Sequence, residues 1–242
     1  MGPPARSDPR REPVVDHAAT GADQKRFVRE ACTVPKDSVA TKQKLLDAAQ
    51  HLFATVGIHT VASKDIVARA DQKNVSALQY HFGGREGLLF AIIERHNAEI
   101  EWERGHVLDQ LESTGSVDLE ALVRSVIVPF ARKLGSAKGR EFLLIVAQLG
   151  ERFDHWDVRA PETPAQAQRA LLAIAGQLAD ESPRLSPEVC HERVTRFLAM
   201  VSEALGSRAR VHSRRPSALT HDQFVTNLID MSIGALTARA SV

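Results

Sequence analysis

Helical periodicity is the feature that most restricts what this chain can fold into. From Thr41 onward, apolar residues recur every three or four positions, and no segment alternates between apolar and polar residues as a half-buried strand does. Capping signals divide the pattern, since Thr41 and Ser63 each precede an apolar run and Gly57 follows the first one. These observations predict an all-α fold.

The remaining helix boundaries follow from proline residues and one capping box. Thr163 and Ser186 each precede a proline at the first position of a helix, and Thr220 with Gln223 forms a capping box. Pro129 should bend its helix because proline removes an interior hydrogen bond. The predicted helices cover residues 42–56, 64–70, 75–82, 85–112, 117–134, 138–153, 164–181, 187–206 and 221–239.

Composition predicts a largely globular chain with an N-terminal extension. Apolar residues make up 43% of the chain and charged residues 25%, which is typical of folded domains. Residues 1–37 lack a sustained apolar period and are predicted to be disordered. We therefore predict three parts, namely this extension, a domain of short helices over residues 38–85, and a domain of longer helices over residues 86–242.

The sequence also bears on where the protein works. It has no run of about 18 apolar residues that would predict a membrane span, and its first residues lack the apolar core of a signal peptide. Its cysteines, Cys32 and Cys190, are expected to be reduced thiols. A cytoplasmic protein with no membrane partner is the expectation.

The segment "DQKNVSALQYHFGGREGLLF", residues 71–90, mixes hydrogen-bonding and apolar side chains. Val75, Leu78 and Phe82 lie at helical spacing and should hold a short helix against its neighbours, with the polar residues facing outward. Together with the two preceding helices and the tight turn "DQKN", this helix has the layout of a helix-turn-helix, whose second helix enters the major groove of DNA. A nucleic-acid surface explains the mixture better than a catalytic loop.

Three stretches, "LLDAAQHLFATVG", "TVASKDIVARA" and "LQYHFGGREGLLFAII", resemble the DNA-binding domain of the TetR (tetracycline-repressor-like) family of bacterial regulators. The resemblance implies an N-terminal helix-turn-helix domain followed by a larger helical domain that binds a ligand and dimerises. The turn departs from the family pattern, because residues 70–74 read Ala-Asp-Gln-Lys-Asn without the usual glycine and with one extra residue. Asp and Asn tolerate the left-handed backbone that such turns need.

The resemblance implies phosphate contacts for Tyr80 and His81 at the end of the recognition helix and for Arg85 at the next helix N-terminus. Hydroxyl and ammonium groups at helix starts would also reach phosphates, and the amide and amine groups before and within the recognition helix would read base edges. The predicted DNA-binding residues are Thr41, Ser63, Lys64, Lys73, Asn74, Ser76, Gln79, Tyr80, His81 and Arg85.

Aromatic and polar residues in the middle of the chain are candidates for an apolar ligand cavity with a few orienting contacts. Ordinary core packing is the alternative for each of them. The predicted ligand-binding residues are Trp102, Phe130, Phe142, Gln148, Arg152, Phe153, His155 and Trp156.

The last two predicted helices each carry apolar residues on two faces, so each needs two packing partners. The domain core would cover one face and a symmetric copy of the chain the other, giving a homodimer that matches a palindromic DNA site. Burial of both faces within one monomer is the alternative. The predicted dimer residues are Phe197, Met200, Val201, Ala204, Phe224, Leu228, Met231 and Ala235.

The sequence shows no catalytic constellation, metal-ligand spacing or nucleotide-binding loop, so we predict neither enzymatic activity nor a cofactor or metal. The expected function is that of a transcriptional regulator, first of all a repressor, which binds double-stranded DNA as a homodimer and is released by a small, largely apolar effector. An activator of the same fold, an all-α enzyme and a DNA-inactive interaction module remain alternatives.

Overall fold

The structure is a computed structural model that describes residue 2 and residues 36–115, 117–150, 163–181, 185–212 and 218–239. These residues form nine α-helices and one short 3-10 helix at Lys133–Gly135, with no strand among them. The helices are α1 (Lys36–Thr55), α2 (Ser63–Arg69), α3 (Ser76–Phe82), α4 (Arg85–Thr114), α5 (Leu119–Arg132), α6 (Ala137–Leu149), α7 (Ala165–Glu181), α8 (Pro187–His212) and α9 (His221–Thr237). The predicted all-α fold is confirmed.

Two helix boundaries differ from the prediction for identifiable reasons. Helix α1 begins at Lys36, so Thr41 lies inside the helix and does not cap it. Its first turns have an exposed side chain at Val39 and show no apolar stripe that periodicity could detect. Helix α8 continues past Gly206, the predicted end, to His212. A Cβ atom at Gly206 would lie 2.4 Å from the Ala147 Cβ of α6, so this glycine permits close helix packing rather than marking a stop.

Ser63, predicted to cap α2, is its first helical residue, and Ala62 is the N-cap. The start signals at Ser186 and Thr220 are confirmed, because α8 begins at Pro187 and α9 at His221. The Thr220 hydroxyl accepts a hydrogen bond from the Gln223 amide and the Gln223 side chain accepts one from the Thr220 amide, which is the predicted capping box. Pro129 lies inside α5, followed closely by the 3-10 turn. None of the helices in the described part of the chain is long and apolar enough to cross a membrane.

Two hydrophobic clusters organise residues 40–242, which form one compact unit. The smaller cluster is built from α1, α2, α3 and the first turns of α4, and it extends from Leu45 to Ile92. The larger cluster is built from α4 to α9, and it extends from Ile100 to Leu236. Helix α6 contributes to both, because Phe142 and Leu143 belong to the larger cluster and Ile145 to the smaller one.

Candidate DNA-binding surface and internal cavity

The turn between α2 and α3 uses Asp71 where a glycine would be the usual choice. Asp71 has a φ of 55°, the left-handed conformation that aspartate tolerates better than most residues. The Gln72 amide donates to the Val67 carbonyl at 3.0 Å, which closes the end of α2. The Asn74 side-chain oxygen accepts from the Ser76 amide at 2.8 Å and so supports the start of α3. The glycine-free turn is therefore compatible with a helix-turn-helix.

Helix α3 presents one apolar and one polar face, as predicted, with one exception. Leu78 is buried and Phe82 half-buried against the smaller cluster, while Gln79 is exposed and Tyr80 is 83% exposed. Val75, predicted to anchor the helix, is 45% exposed because it precedes the first helical turn. The remaining predicted base-edge residues, Lys73, Asn74 and Ser76, are exposed as well.

Glycines allow α4 to start directly against the end of α3. Gly83 and Gly84 have φ values of 68° and 121°, a region that side chains rarely adopt. A Cβ atom at Gly87 would lie 1.8 Å from the Phe82 carbonyl oxygen, so only glycine fits at this crossing. The consequence is a fixed angle between the recognition helix and the long helix α4.

Arg85, at the N-terminus of α4, is turned partly inward. Its guanidinium carbon lies 5.7 Å from the centre of the Phe53 ring, and its Nε and Nη2 atoms are buried without a hydrogen-bond partner. A cation with unsatisfied donors beside a helix N-terminus favours a nearby anion. Because these two nitrogen atoms are buried, the phosphate contact of Arg85 stays a prediction.

The other predicted phosphate contacts lie on three helices of the same cluster. His81 is half-buried at the end of α3, with its ring centre 5.0 Å from that of Tyr80. Ser63 and Lys64 occupy the first turn of α2, and the Lys64 side chain is exposed. Thr41 is half-buried on α1, where the neighbouring Lys42 places its Nζ atom 5.7 Å from the Phe82 ring centre.

The helical domain contains a cavity of about 420 Å³ bordered by α4 to α8. Its lining is mainly apolar and includes the predicted residues Phe130 and Phe142. One face of α4, with Ile93, Asn97, Glu101 and Arg104 at helical spacing, forms a wall. Sequence reasoning that followed aromatic content missed the three polar residues of this stripe, although their spacing on one helix face would have indicated them.

Two predicted ligand residues lie elsewhere. Trp102 is 73% exposed, does not line the cavity and stacks on His106 with a centroid distance of 6.1 Å. The Gln148 side chain accepts from the Ile58 amide at 2.8 Å and donates to the Phe53 carbonyl at 3.0 Å, so it connects α6 to the end of α1. The predictions at Arg152, Phe153, His155 and Trp156 fall outside the described residues.

The cavity also holds a buried ion pair. Arg104 is 2% exposed, its Nη1 atom donates to the Glu101 carboxylate, and its Nε atom donates to the Ser125 carbonyl at 3.3 Å. Burial lowers the pKa of the Arg104 guanidinium, and the Glu101 carboxylate opposes this shift. The second Glu101 oxygen accepts from the Gln166 amide of α7 at 2.7 Å. Both ions therefore have partners within the protein.

Comparison with known families assigns the N-terminal helices. Residues 45–92 match the family described as bacterial regulatory proteins, tetR family, over nearly the same range as the smaller hydrophobic cluster. The match covers 48 of the 242 residues, so it shows similarity to that family for these helices and not for the whole chain. The helix-turn-helix of this segment is accordingly similar to the DNA-binding element of those regulators.

Similar solved structures cover most of this chain at low identity. One, described as a TetR-family transcriptional regulator from Rhodococcus sp., is 16% identical, with 82% of this chain and 99% of that chain covered and a TM-score of 0.44. Another, RolR without ligand, is 18% identical, with 82% and 97% covered and a TM-score of 0.36. A search of curated proteins finds no match.

A buried polar network joins α1, the first helix of the helix-turn-helix domain, to the cavity wall. Gln50 of α1 is fully buried, and its amide nitrogen donates to the Lys138 carbonyl at 2.8 Å and to Glu141 at 3.3 Å. Its oxygen accepts from His96 Nε2 at 3.1 Å and from Arg95. The His96 ring stacks on Phe142, with 4.4 Å between the ring centres. Phe142 lines the cavity, so one side chain separates the cavity from this network.

The environment of His96 keeps its imidazole neutral. Burial, followed by the positive charges of Arg95 and Lys133, lowers the pKa of His96 to about 4. The neutral ring has one N–H group, and a proton on Nε2 is required for the bond to the Gln50 oxygen. His96 thus acts as a donor near neutral pH.

The faces of α8 and α9 divide the predicted dimer residues into two groups. Phe197, Val201 and Leu228 are 2%, 4% and 3% exposed within the single chain, so their assignment to the partner-facing stripe is corrected. These residues pack in the larger cluster because that stripe faces α5 and α6. The accessible members are Met200, Ala204, Phe224, Met231 and Ala235.

Proposed function

We propose that this protein is a TetR-family regulator, a cytoplasmic homodimer that represses transcription by binding a palindromic operator. The main support for this proposal is the exposure pattern of α3. Gln79 and Tyr80 are exposed, whereas Leu78 is buried in the smaller cluster. A rigid helix with an outward polar face is what direct readout in the major groove requires. No catalytic role is proposed for the chain.

The outward faces of α8 and α9 support dimerisation. Met231 of α9 is 54% exposed. The other accessible apolar residues are Met200 and Ala204 on α8 and Phe224 and Ala235 on α9. Exposed apolar residues repeated along two neighbouring helices favour a symmetric four-helix contact. A dimer would set two α3 helices about 34 Å apart, the repeat of the DNA helix.

The path from cavity to DNA supports release by a ligand. Helix α4 starts beside α3 at Arg85 and lines the cavity from Ile93 to Arg104. Helix α6 lines the same cavity through Phe142. It contacts α1 through the bond from Gln50 to the Lys138 carbonyl and the bond from Gln148 to the Phe53 carbonyl. A ligand that fits the cavity better in one arrangement of α4 and α6 would shift the population away from the DNA-binding state.

The experiment that tests this function is selection of genomic DNA fragments by the purified full-length chain. The proposal predicts enrichment of one inverted repeat with half-sites about one helical turn apart. Placed upstream of a reporter gene, this site should lower expression when the protein is present. Enrichment of no sequence above background would refute operator binding, and raised expression would identify an activator.

A distance measurement tests the mechanism of release. With spin labels on α3 of both protomers, an effector should change the separation between the recognition helices. An unchanged separation in the presence of an effector that abolishes DNA binding would refute transmission through α4.

A further inference from the structure

The charged groups of the cavity indicate which chemical class of ligand it accepts, an inference that rests on the proposed role of the cavity as an effector site. Among the described residues that line it, Glu101 and Arg104 are the charged ones, and they form an ion pair with each other. The part of the wall that these described residues form is therefore neutral overall. We propose that it binds an uncharged, largely apolar ligand with a hydroxyl or carbonyl group and discriminates against carboxylates.

Arg104 is not available to a carboxylate ligand in the way a lone buried arginine would be. Its Nη1 atom is bonded to Glu101 and its Nε atom to the Ser125 carbonyl, and the guanidinium carbon lies 5.8 Å from the centre of the Phe130 ring. An incoming carboxylate would meet the negative charge of Glu101 beside the positive charge of Arg104. The attraction and the repulsion nearly cancel, which leaves the loss of the ligand's hydration uncompensated.

Glu101 cannot readily turn away to release Arg104. One of its oxygens is bonded to Arg104 and the other accepts from the Gln166 amide at the start of α7. Displacing Glu101 would leave that amide without its acceptor. The ion pair is thus part of the packing between α4 and α7.

Two other polar side chains of the lining are available to form hydrogen bonds with a ligand. Asn97 of α4 and Ser202 of α8 line the cavity and make no side-chain hydrogen bond to any residue of the described segments. An amide and a hydroxyl each donate and accept, so together they suit a neutral hydroxyl or carbonyl group. The rest of the lining is mainly apolar, which suits a hydrocarbon body.

The test uses two probes of the same shape, 2-naphthalenemethanol and 2-naphthoate, titrated into the full-length protein by isothermal calorimetry. The wild type should bind the alcohol at least about tenfold more tightly than the carboxylate. Glu101→Gln removes the negative charge and keeps the shape, so naphthoate affinity should rise by about tenfold while alcohol affinity changes by less than about threefold. Glu103→Gln is the matched control, because Glu103 pairs with Arg132 at 2.7 Å and does not line the cavity.

A second variant covers the case in which Glu101→Gln fails to fold. Asn97→Leu should weaken binding of the alcohol by about fivefold and leave binding of plain naphthalene unchanged, since it removes only a hydrogen-bonding group. Tighter binding of naphthoate than of the alcohol to the wild type would overturn the proposal, as would equal naphthoate affinity in folded Glu101→Gln and wild type. Failure of both probes to bind would overturn the ligand site itself, whereas operator selection tests DNA binding separately.

Discussion

Replacing Gln50 by leucine should measure the strength of the junction between the DNA-binding helices and the cavity domain. The substitution preserves side-chain volume but removes the four hydrogen bonds of a fully buried amide. Two of its partners keep other contacts, since Arg95 remains bonded to Asp47 at 3.1 Å and Glu141 to His51 at 2.8 Å. The His96 Nε2–H group and the Lys138 carbonyl lose the bonds described here.

Each buried group left without a partner costs about 1–3 kcal/mol, so the loss of both bonds in Gln50→Leu should lower the free energy of unfolding by about 2–6 kcal/mol. Urea unfolding followed by circular dichroism gives this quantity by linear extrapolation. Gln43→Leu, the same substitution on an exposed residue of α1, should change it by no more than about 0.5 kcal/mol.

A double variant separates the hydrogen bond from general disruption. Adding His96→Phe to Gln50→Leu removes the orphaned donor, so the double variant should be more stable than the sum of the two single effects predicts. If Gln50→Leu costs no more than Gln43→Leu, the network does not stabilise the junction and the reasoning is refuted.

Three further results are expected. The pKa of His96 is about 4 in the folded protein and about 6.5 in the unfolded chain. The unfolded state therefore takes up more protons as the pH falls between these values, which favours unfolding. Between pH 7 and pH 5, the wild type should lose about 1–2 kcal/mol more stability than His96→Phe. Gly87→Ala should lower the free energy of unfolding by more than about 2 kcal/mol, because its Cβ would collide with the Phe82 carbonyl. Gly176→Ala is the control, because the space at this position is open; in the same assay it should be neutral or stabilising by up to about 1 kcal/mol. Met231→Glu should convert dimer to monomer in sedimentation experiments, while Val117→Glu, also at an exposed residue, should leave the dimer intact; a dimeric Met231→Glu would count against the proposed interface.

The helices were predictable because each depends on local sequence. The capping box at Thr220, the glycine stop at Gly57 and the α3 stripe of Leu78 and Phe82 are set by neighbours within a turn or two of the chain. Gly206 shows the limit of such signals. In isolation it predicts a helix end, but the close approach of Ala147 allows the helix to continue.

The cavity was less predictable because its wall combines residues that are far apart in sequence. Phe130 and Phe142 were expected there and do line it, whereas Gln148 bonds to α1 instead. Glu101 and Arg104 lie on one face of α4, and only the packing of α7 over that face brings them inside. Periodicity gives the face that a residue occupies but not the element that covers it.

Operator affinity of two variants, each lacking one exposed aromatic side chain, distinguishes α3 from α4 as the DNA-binding surface. Tyr80 is 83% exposed on α3, and Trp102 is 73% exposed on α4, about 25 Å along the helix from its start beside α3. In fluorescence anisotropy with the selected operator, Tyr80→Ala should weaken binding by at least about tenfold, whereas Trp102→Ala should bind like wild type. Wild-type affinity for Tyr80→Ala, or an equal loss in both variants, would contradict the account that α3 is the DNA-binding surface.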